Sequence, residues 1–410
     1  MNFENLKLVK NKISQFLKNI KEEVVIRQSK ITVQNILFGS LYKCMSNKSY
    51  DDVVSILNIN NIDKNIIFTK SAFIIKKNKI NSSNFLNLNN YLINIIYKNN
   101  KPRLIGVDGS SLDLYKNFKK YGYRYASNKE TYCKGYLSCL FDIQNKIPIN
   151  YHLSKNIDER ESLINQLKYI NKNDTLIMDR GYYSDNLLKI LNNLGINYIF
   201  RLKTNFNIVK NLENNDYTFT EDNIEKRVIK YTIKNEDYYL LTNLFNKTIE
   251  ELKENYWSRW EIEINFKKTK YNLSLNNIKS KNENSLKQEI YINNLAFILY
   301  YFLKIDKIVI DKDNNDIKKY KINDKTGIYI FIEKISYIII NNRLTLNKYN
   351  LINKYLDIIK NNKFYIIKNR NFKRQSVIKK SLWYFKSEFN NSFIYKSKKE
   401  RKLLKNLIIL

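Results

Sequence analysis

A change of period near residue 100 constrains the fold more than any other feature of the chain. Before it, apolar residues recur at three- and four-residue steps, as in "LVKNKISQFLKNI" and "TVQNILFGSLYKCM", the spacing of one helix face. From residue 103, short β-branched and aromatic runs alternate with polar turns. "RLIGVDGSSLDLY", "YCKGYLSCLFDI" and "IPINYHLS" read as strands. "DERESLINQLKYI" follows as a helix capped by Asp158 or Asn156, "DTLIM" as a buried strand, "SDNLLKILNNL" as a helix capped by Ser184, and "INYIFRLK" as another strand. That order describes a mixed α/β sheet covered by helices, in which functional groups gather just past strand ends.

With eight glycines and two prolines in 410 residues, boundaries rest on such changes of texture. They give a helical N-terminal region over 1–98, a first core segment over 99–203, a β-rich insertion over 204–252 read as a small sheet of its own, and a second core segment over 253–305. Residues 306–410 are Lys/Asn-rich and expected to be helical and basic. In the first region, "FTKSAFIIKKNKINSSNF" (68–85) begins with a Thr suited to cap a helix and continues with basic residues. It reads equally as a DNA-binding helix or as an exposed Lys-rich helix of a small bundle. "YINNLAFILYYFLKI" (291–305) is a core helix, too short to span a membrane.

Charge narrows the partner. The 72 Lys and Arg outnumber 39 Asp and Glu, a net +33, and such an excess repels itself unless a polyanion, above all nucleic acid, takes it up. Part of it follows from an A/T-rich coding bias toward Asn, Lys, Ile and Tyr. Cys44, Cys133 and Cys139 have neither metal-ligand spacing nor a disulfide pattern and fit a reducing cytosol. One histidine, His152, excludes multi-imidazole zinc sites and argues against His-based triads. The N-terminus is charged throughout, unlike a signal peptide. These features lead us to expect a cytoplasmic protein.

Two carboxylates stand out. Asp108 follows "RLIGV" and precedes Gly109; Asp179 follows "TLIM" and precedes Arg180-Gly181. Each alone fits an Asx turn. Two on strands of one sheet would repel unless a divalent cation lies between them. In "YWSRWEIEINFKKTK" (256–270), Tyr256, Arg259, Glu263, Lys267 and Lys270 advance by helical steps and form one polar stripe. Trp257, Trp260 and Ile264 flank it on one side, Ile262 and Phe266 on the other, and both flanks are expected to be buried. Pairing of Glu263 with Arg259 and Lys267 would contribute only about 0.2–0.5 kcal/mol per pair. A carboxylate ringed by cations better suits a metal ligand beside phosphate-holding side chains.

Asp108 in "IGVDGSSL", Asp179 in "IMDRGYYS" and Glu263 in "YWSRWEIEINFKKTK" resemble the acidic triad of the DDE transposases of bacterial insertion sequences. Tyr256-x2-Arg259-x3-Glu263-x6-Lys270 is similar to the Tyr-Arg-Glu-Lys signature of the insertion-sequence-four group. The likeness runs from about residue 65 to 305, taking in 68–85, "NIDERESLINQL" and "FRLK". It implies a ribonuclease-H-like mixed sheet flanked by helices and interrupted by a β-rich insertion. It also implies two Mg²⁺ (or Mn²⁺) ions on Asp108, Asp179 and Glu263, and cleavage and strand transfer at phosphodiesters. Tyr256, Arg259 and Lys270 would then grip phosphates at the transposon end, with Lys267 and Arg180 as further DNA contacts. Trp260 matches a stacking position for a flipped base; because 204–252 lacks tryptophan, Tyr217 or Phe219 would be the second stacker. Double-stranded DNA, as terminal inverted repeats and target, and a second copy in a synaptic homodimer are the implied partners. The rival readings are a ribonuclease-H-like metal-dependent nuclease and a DNA-binding protein derived from an inactive transposase.

Overall fold

The computed structural model describes residues 3–23, 30–45, 48–64, 66–97, 101–128, 130–210, 212, 214–233, 235–302, 308–313 and 316–366. The expected boundary at 98–99 and residues 367–410 of the expected basic region lie outside the described residues.

The helical period before residue 100 yields α1 (Phe3–Glu23), α2 (Val33–Cys44), α3 (Tyr50–Asn60), α4 (Lys70–Lys79) and α5 (Ser82–Ile96). Four of these begin on a side-chain cap, Thr32, Ser49, Thr69 and Asn81, which satisfies a backbone N–H that has no partner within the helix. Thr69 caps α4 as its sequence suggests, but α4 is not fully exposed. Its Phe73 and Lys77 are buried, and Lys77 Nζ donates to Gln288 Oε1 at 2.7 Å and Ser285 Oγ at 3.1 Å.

The strand runs form one nine-stranded mixed sheet. Its members are β1 (Leu104–Leu114), β2 (Arg124–Tyr125), β3 (Cys133–Asp142), β4 (Ile147–Ser154), β5 (Thr175–Met178), β6 (Asn197–Arg201), β7 (Asp216–Glu221), β8 (Ile224–Ile233) and β9 (Glu236–Thr242). The spatial order is β2-β3-β1-β5-β6-β9-β8-β7, with β4 also on β3. β1, β5 and β6 are parallel neighbours, whereas β3 and β9 run antiparallel to them. The connections are α6 (Glu159–Ile164), capped by Asp158, and α7 (Asp185–Asn193), capped by Ser184.

After the short α8 (Asn207–Lys210), β7–β9 continue this sheet instead of forming a separate one. The reason is pairing at long range: β9 returns antiparallel to β6, with Ile199 opposite Thr242. The inserted residues thereby extend the hydrogen-bonded ladder of the core.

α9 (Ile249–Ser258), α10 (Trp260–Tyr271) and α11 (Glu283–Phe302) follow. The expected core helix is α11, whose Leu295, Ala296, Phe297 and Ile298 are fully buried where it packs on α2, α5 and β4. The C-terminal described residues correct the helical expectation. Alongside α12 (Asp324–Ile330), α13 (Ser336–Asn341) and α14 (Leu346–Asn361) they form a small antiparallel sheet of β10 (Ile308–Asp313), β11 (Asp316–Ile322) and β12 (Lys363–Tyr365). No described helix is long and apolar enough to cross a membrane.

Candidate active site

Register brings the two aspartates together. β1 and β5 pair in parallel with Gly106 opposite Ile177. Continued two residues beyond its last pair, that register would set Asp108 level with Asp179, on strands about 4.8 Å apart, and each lies in the field of the other. β5 ends at Met178. β1 does not end at Asp108: as the strand reading of "RLIGVDGSSLDLY" expects, it continues to Leu114, paired with β3. Past Val107, then, β1 has lost its parallel neighbour, and that open edge is where both carboxylates sit.

The start of this parallel pair is pinned by a buried ion pair. Arg103 reaches Asp174 through its backbone N–H (2.8 Å), Nε (3.0 Å) and Nη2 (2.5 Å), and Thr175 N–H donates to the Arg103 carbonyl at 2.8 Å.

The third carboxylate arrives from α10. α10 packs on β1, with Ile262 Cβ 3.6 Å from where a Gly106 side chain would begin. Buried Asn265 and Thr269 hold it there: Asn265 Nδ2 donates to the Tyr151 hydroxyl at 2.8 Å, which lies 3.1 Å from Thr269 Oγ1. Glu263 is thereby placed over Asp108. The expected single helix breaks at Arg259, where the bonds from Arg259 N–H to Tyr256 O (3.1 Å) and from Ile262 N–H to Arg259 O (3.0 Å) span three residues instead of four. This tightening turns Arg259 inward. Its Nη2 donates to Glu263 Oε1 at 3.1 Å and its Nη1 lies 3.7 Å from Asp108 Oδ2, while its buried Nε–H has no partner.

The Asp108 carboxyl is pushed up to about 6, chiefly by burial and further by the negative charges of Asp179 and Glu263; the Gly109 N–H and Arg259 oppose the rise. The site is thus an excess of carboxylate oxygen held in check by one guanidinium. Such hard donors fit Mg²⁺ or Mn²⁺. Space is kept for a further group as well, since a Cβ on Gly181 would meet Glu159 Oε2 at 2.5 Å and Asp179 Oδ1 at 3.2 Å. Among the described residues, no three acidic, His or Cys side chains already stand close enough to share one ion, and Arg259 lies between Asp108 and Glu263.

The rest of the stripe divides. Tyr256 is buried, with its ring 5.9 Å from the Arg259 guanidinium. Lys270 Nζ crosses to β1, donating to Ser110 Oγ (2.6 Å) and Ser111 O (2.9 Å). Lys267 leaves the stripe: it is exposed, with Nζ 5.8 Å from the Trp260 ring. The expected burial of one flank fails, because Trp257 and Trp260 are 44% and 46% exposed. The other flank, Ile262 and Phe266, is buried. Arg180 is exposed beside Asp179. On β7, Tyr217 and Phe219 stack at 5.6 Å.

Three residues near the site escaped sequence reading. Tyr238 on β9 lies 5.9 Å from the Trp257 ring and carries the Arg201 guanidinium 4.6 Å from its own ring. Glu159 opens α6 beside Gly181. Tyr238, an aromatic on a β-alternating strand, carries no signal of its own, whereas Arg201 and Glu159 lie in "FRLK" and "NIDERESLINQL", stretches that carry the family likeness without singling them out.

Residues 99–299, which hold all three carboxylates, match the transposase DDE domain family. A curated protein named as a transposase for insertion sequence element IS4SA, from Synechocystis sp., is 34% identical over 145 residues, 33% of this chain. The chain spans 43% of that relative's length. Among solved structures, the piggyBac transposase synaptic complex with hairpin DNA is similar at a TM-score of 0.43, with 12% identity over 84% of this chain and 81% of that one. The open edge that gathers Asp108, Asp179 and Glu263 therefore lies inside a segment similar to the transposase DDE domain.

Proposed function

We propose that the chain is a DNA transposase of the insertion-sequence-four group, with a ribonuclease-H-like core, that binds its element's ends and cuts and joins phosphodiesters. What supports this reading is that Arg259 links Asp108 to Glu263 of α10 while the β1–β5 register runs toward Asp108 and Asp179, so that three carboxylates remote in sequence fall around one sheet edge. Together they are the residues to hold two divalent ions. Bound there, Mg²⁺ or Mn²⁺ would activate water or a 3′-hydroxyl and stabilise the leaving oxygen.

The chain's own residues supply the DNA grip. Arg259 holds two of the carboxylates and keeps one buried N–H without an acceptor; swung toward DNA, it offers a fork to a phosphate and frees its partners for the cation. Lys270, anchored on β1 just past Asp108, sets a point charge beside the same strand, and Tyr256 backs Arg259. Trp260 and Trp257, exposed next to Arg259, offer faces on which an unpaired base can stack. Arg180 and Lys267 extend the basic rim. The partners are double-stranded DNA and a second copy that pairs two ends, and the place of action is the bacterial cytoplasm at the nucleoid.

The test is a duplex carrying the inverted repeats that flank the coding sequence, incubated with the purified chain and Mg²⁺. Scission at the repeat tip, lost in Glu263→Gln, is expected. An uncut duplex, or equal cutting by Glu263→Gln, contradicts the assignment. Cutting without joining to a target duplex would favour a nuclease.

A further inference from the structure

Beyond the carboxylates, β1 leads into a cationic lobe. Between Asp113 and Asp142 the chain holds six Lys and Arg against one acid, Glu130. A coding bias toward lysine does not decide where ammonium groups stand; here the fold does. Lys116–Tyr121 form a 3₁₀ turn whose Phe118 is fully buried, its ring 5.6 Å from those of Tyr121 and Tyr123. Cys133 Sγ donates to the Lys116 carbonyl at 3.5 Å. Asn117 Nδ2 donates to the Lys281 carbonyl at 2.7 Å and so ties the turn to the segment between α10 and α11. Gly122 closes the turn in the left-handed region, at a φ of 90°, with Lys155 against its open side.

From this frame the cations emerge exposed and lie against rings instead of carboxylates. Lys116 Nζ and Lys119 Nζ are 5.9 and 5.1 Å from the Tyr125 ring, Lys120 Nζ is 5.0 Å from Tyr121 and Lys155 Nζ 6.0 Å from Tyr123. Elsewhere Lys146, Lys189, Lys230 and Lys247 sit on Asp or Glu oxygens. A ring holds an ammonium group by its face but cancels no charge. Arg124 on β2 also stands directly opposite Lys134 on β3, a like-charge pair that is unfavourable by itself; Asp113, level with Lys134 on its other side, offsets only one of the two. The lobe is continuous with the site. Lys270 of α10 donates to Ser110 and Ser111 on the same strand, and β1 advances about 20 Å from Asp108 to Leu114, the length of about six base pairs of duplex.

We infer that the lobe of Lys116, Lys119 and Lys120 is a seat for the sugar-phosphate backbone of duplex DNA, holding it by charge and without regard to sequence. The lysines act as point charges on successive phosphates, and the tyrosine rings keep them apart and in place. This rests on the reading of the chain as a protein that acts on DNA. The experiment is fluorescence anisotropy of a labelled duplex of about 30 base pairs and arbitrary sequence, without divalent cation, over a series of KCl concentrations. Three proteins are compared: the native chain, the triple variant Lys116→Gln, Lys119→Gln, Lys120→Gln, and a control in which the exposed Lys172, Lys354 and Lys360 become Gln. The lobe variant is expected to bind more weakly, with a slope of log affinity against log salt shallower by about three; the control is expected to stay near the native values. Native affinity and slope in the lobe variant, or an equal loss in the control, overturn the inference alone. A native chain that binds no duplex overturns the proposed function as well. Should the lobe variant lose its native circular dichroism, Lys116→Gln and Lys120→Gln replace it singly: each is expected to lower the slope by about one, and an unchanged slope overturns the inference.

Discussion

Asp174→Ala is expected to loosen the register on which the site depends. Arg103 and Asp174 are 6% and 1% exposed. Besides its three bonds to Arg103, the Asp174 carboxylate accepts the Asn171 N–H at 2.8 Å. Without it, the guanidinium keeps only the Tyr169 carbonyl at 2.9 Å and the face of the Tyr97 ring at 4.8 Å. A buried charge stripped of its counter-ion costs about 3–5 kcal/mol, a large part of the roughly 5–15 kcal/mol that holds a domain together. Urea unfolding followed by tryptophan fluorescence should show that loss. The double variant Arg103→Met, Asp174→Leu should recover most of it, because no unpaired charge remains. DNA cutting should fall in both, more in the single variant, if the pair also fixes Asp108 opposite Asp179. A cost below about 1 kcal/mol for Asp174→Ala would refute the reasoning, since the pair would then be energetically idle.

Other consequences are open to measurement. Burial depresses the Lys77 ammonium from 10.5 to about 8, so between those values the unfolded chain holds a proton that the folded chain releases. Stability should therefore rise with pH through that window, by up to about 3 kcal/mol, and Lys77→Met should remove the slope in urea titrations at pH 8 and 9.5. Trp260→Ala should cost less than about 1 kcal/mol of stability, as befits an exposed ring, yet weaken binding of single-stranded DNA in fluorescence anisotropy. Ile262→Ala, under the same helix, should cost about 2–5 kcal/mol; the reverse ranking would mean that α10 presents a different face to the sheet.

Much of the sheet was legible because its strands are short apolar runs closed by turn residues, and the two aspartates fall where those runs meet glycine. The caps at Thr69 and Ser184 were legible too, and that of α6 to within Asp158 or Asn156, since each requires only a local hydrogen bond. Nonlocal pairing left no such trace. The run through Gly109, Ser110 and Ser111 reads as strand, but nothing in it names β3 as the partner that carries the ladder to Leu114. The partnership of β6 with β9 joins residues some forty apart, and nothing in either run names the other. Trp257 and Trp260 looked like core by hydrophobicity, whereas the helix turns them outward and buries Ile262.

The account stands on divalent cations being held where β1 outruns β5. Crystals of the full chain soaked in Mn²⁺ and measured above the manganese absorption edge should give an anomalous peak between Asp108 and Asp179, with Arg259 displaced from Asp108. Manganese bound only elsewhere, with that edge open to solvent and Arg259 still on both carboxylates, would contradict it.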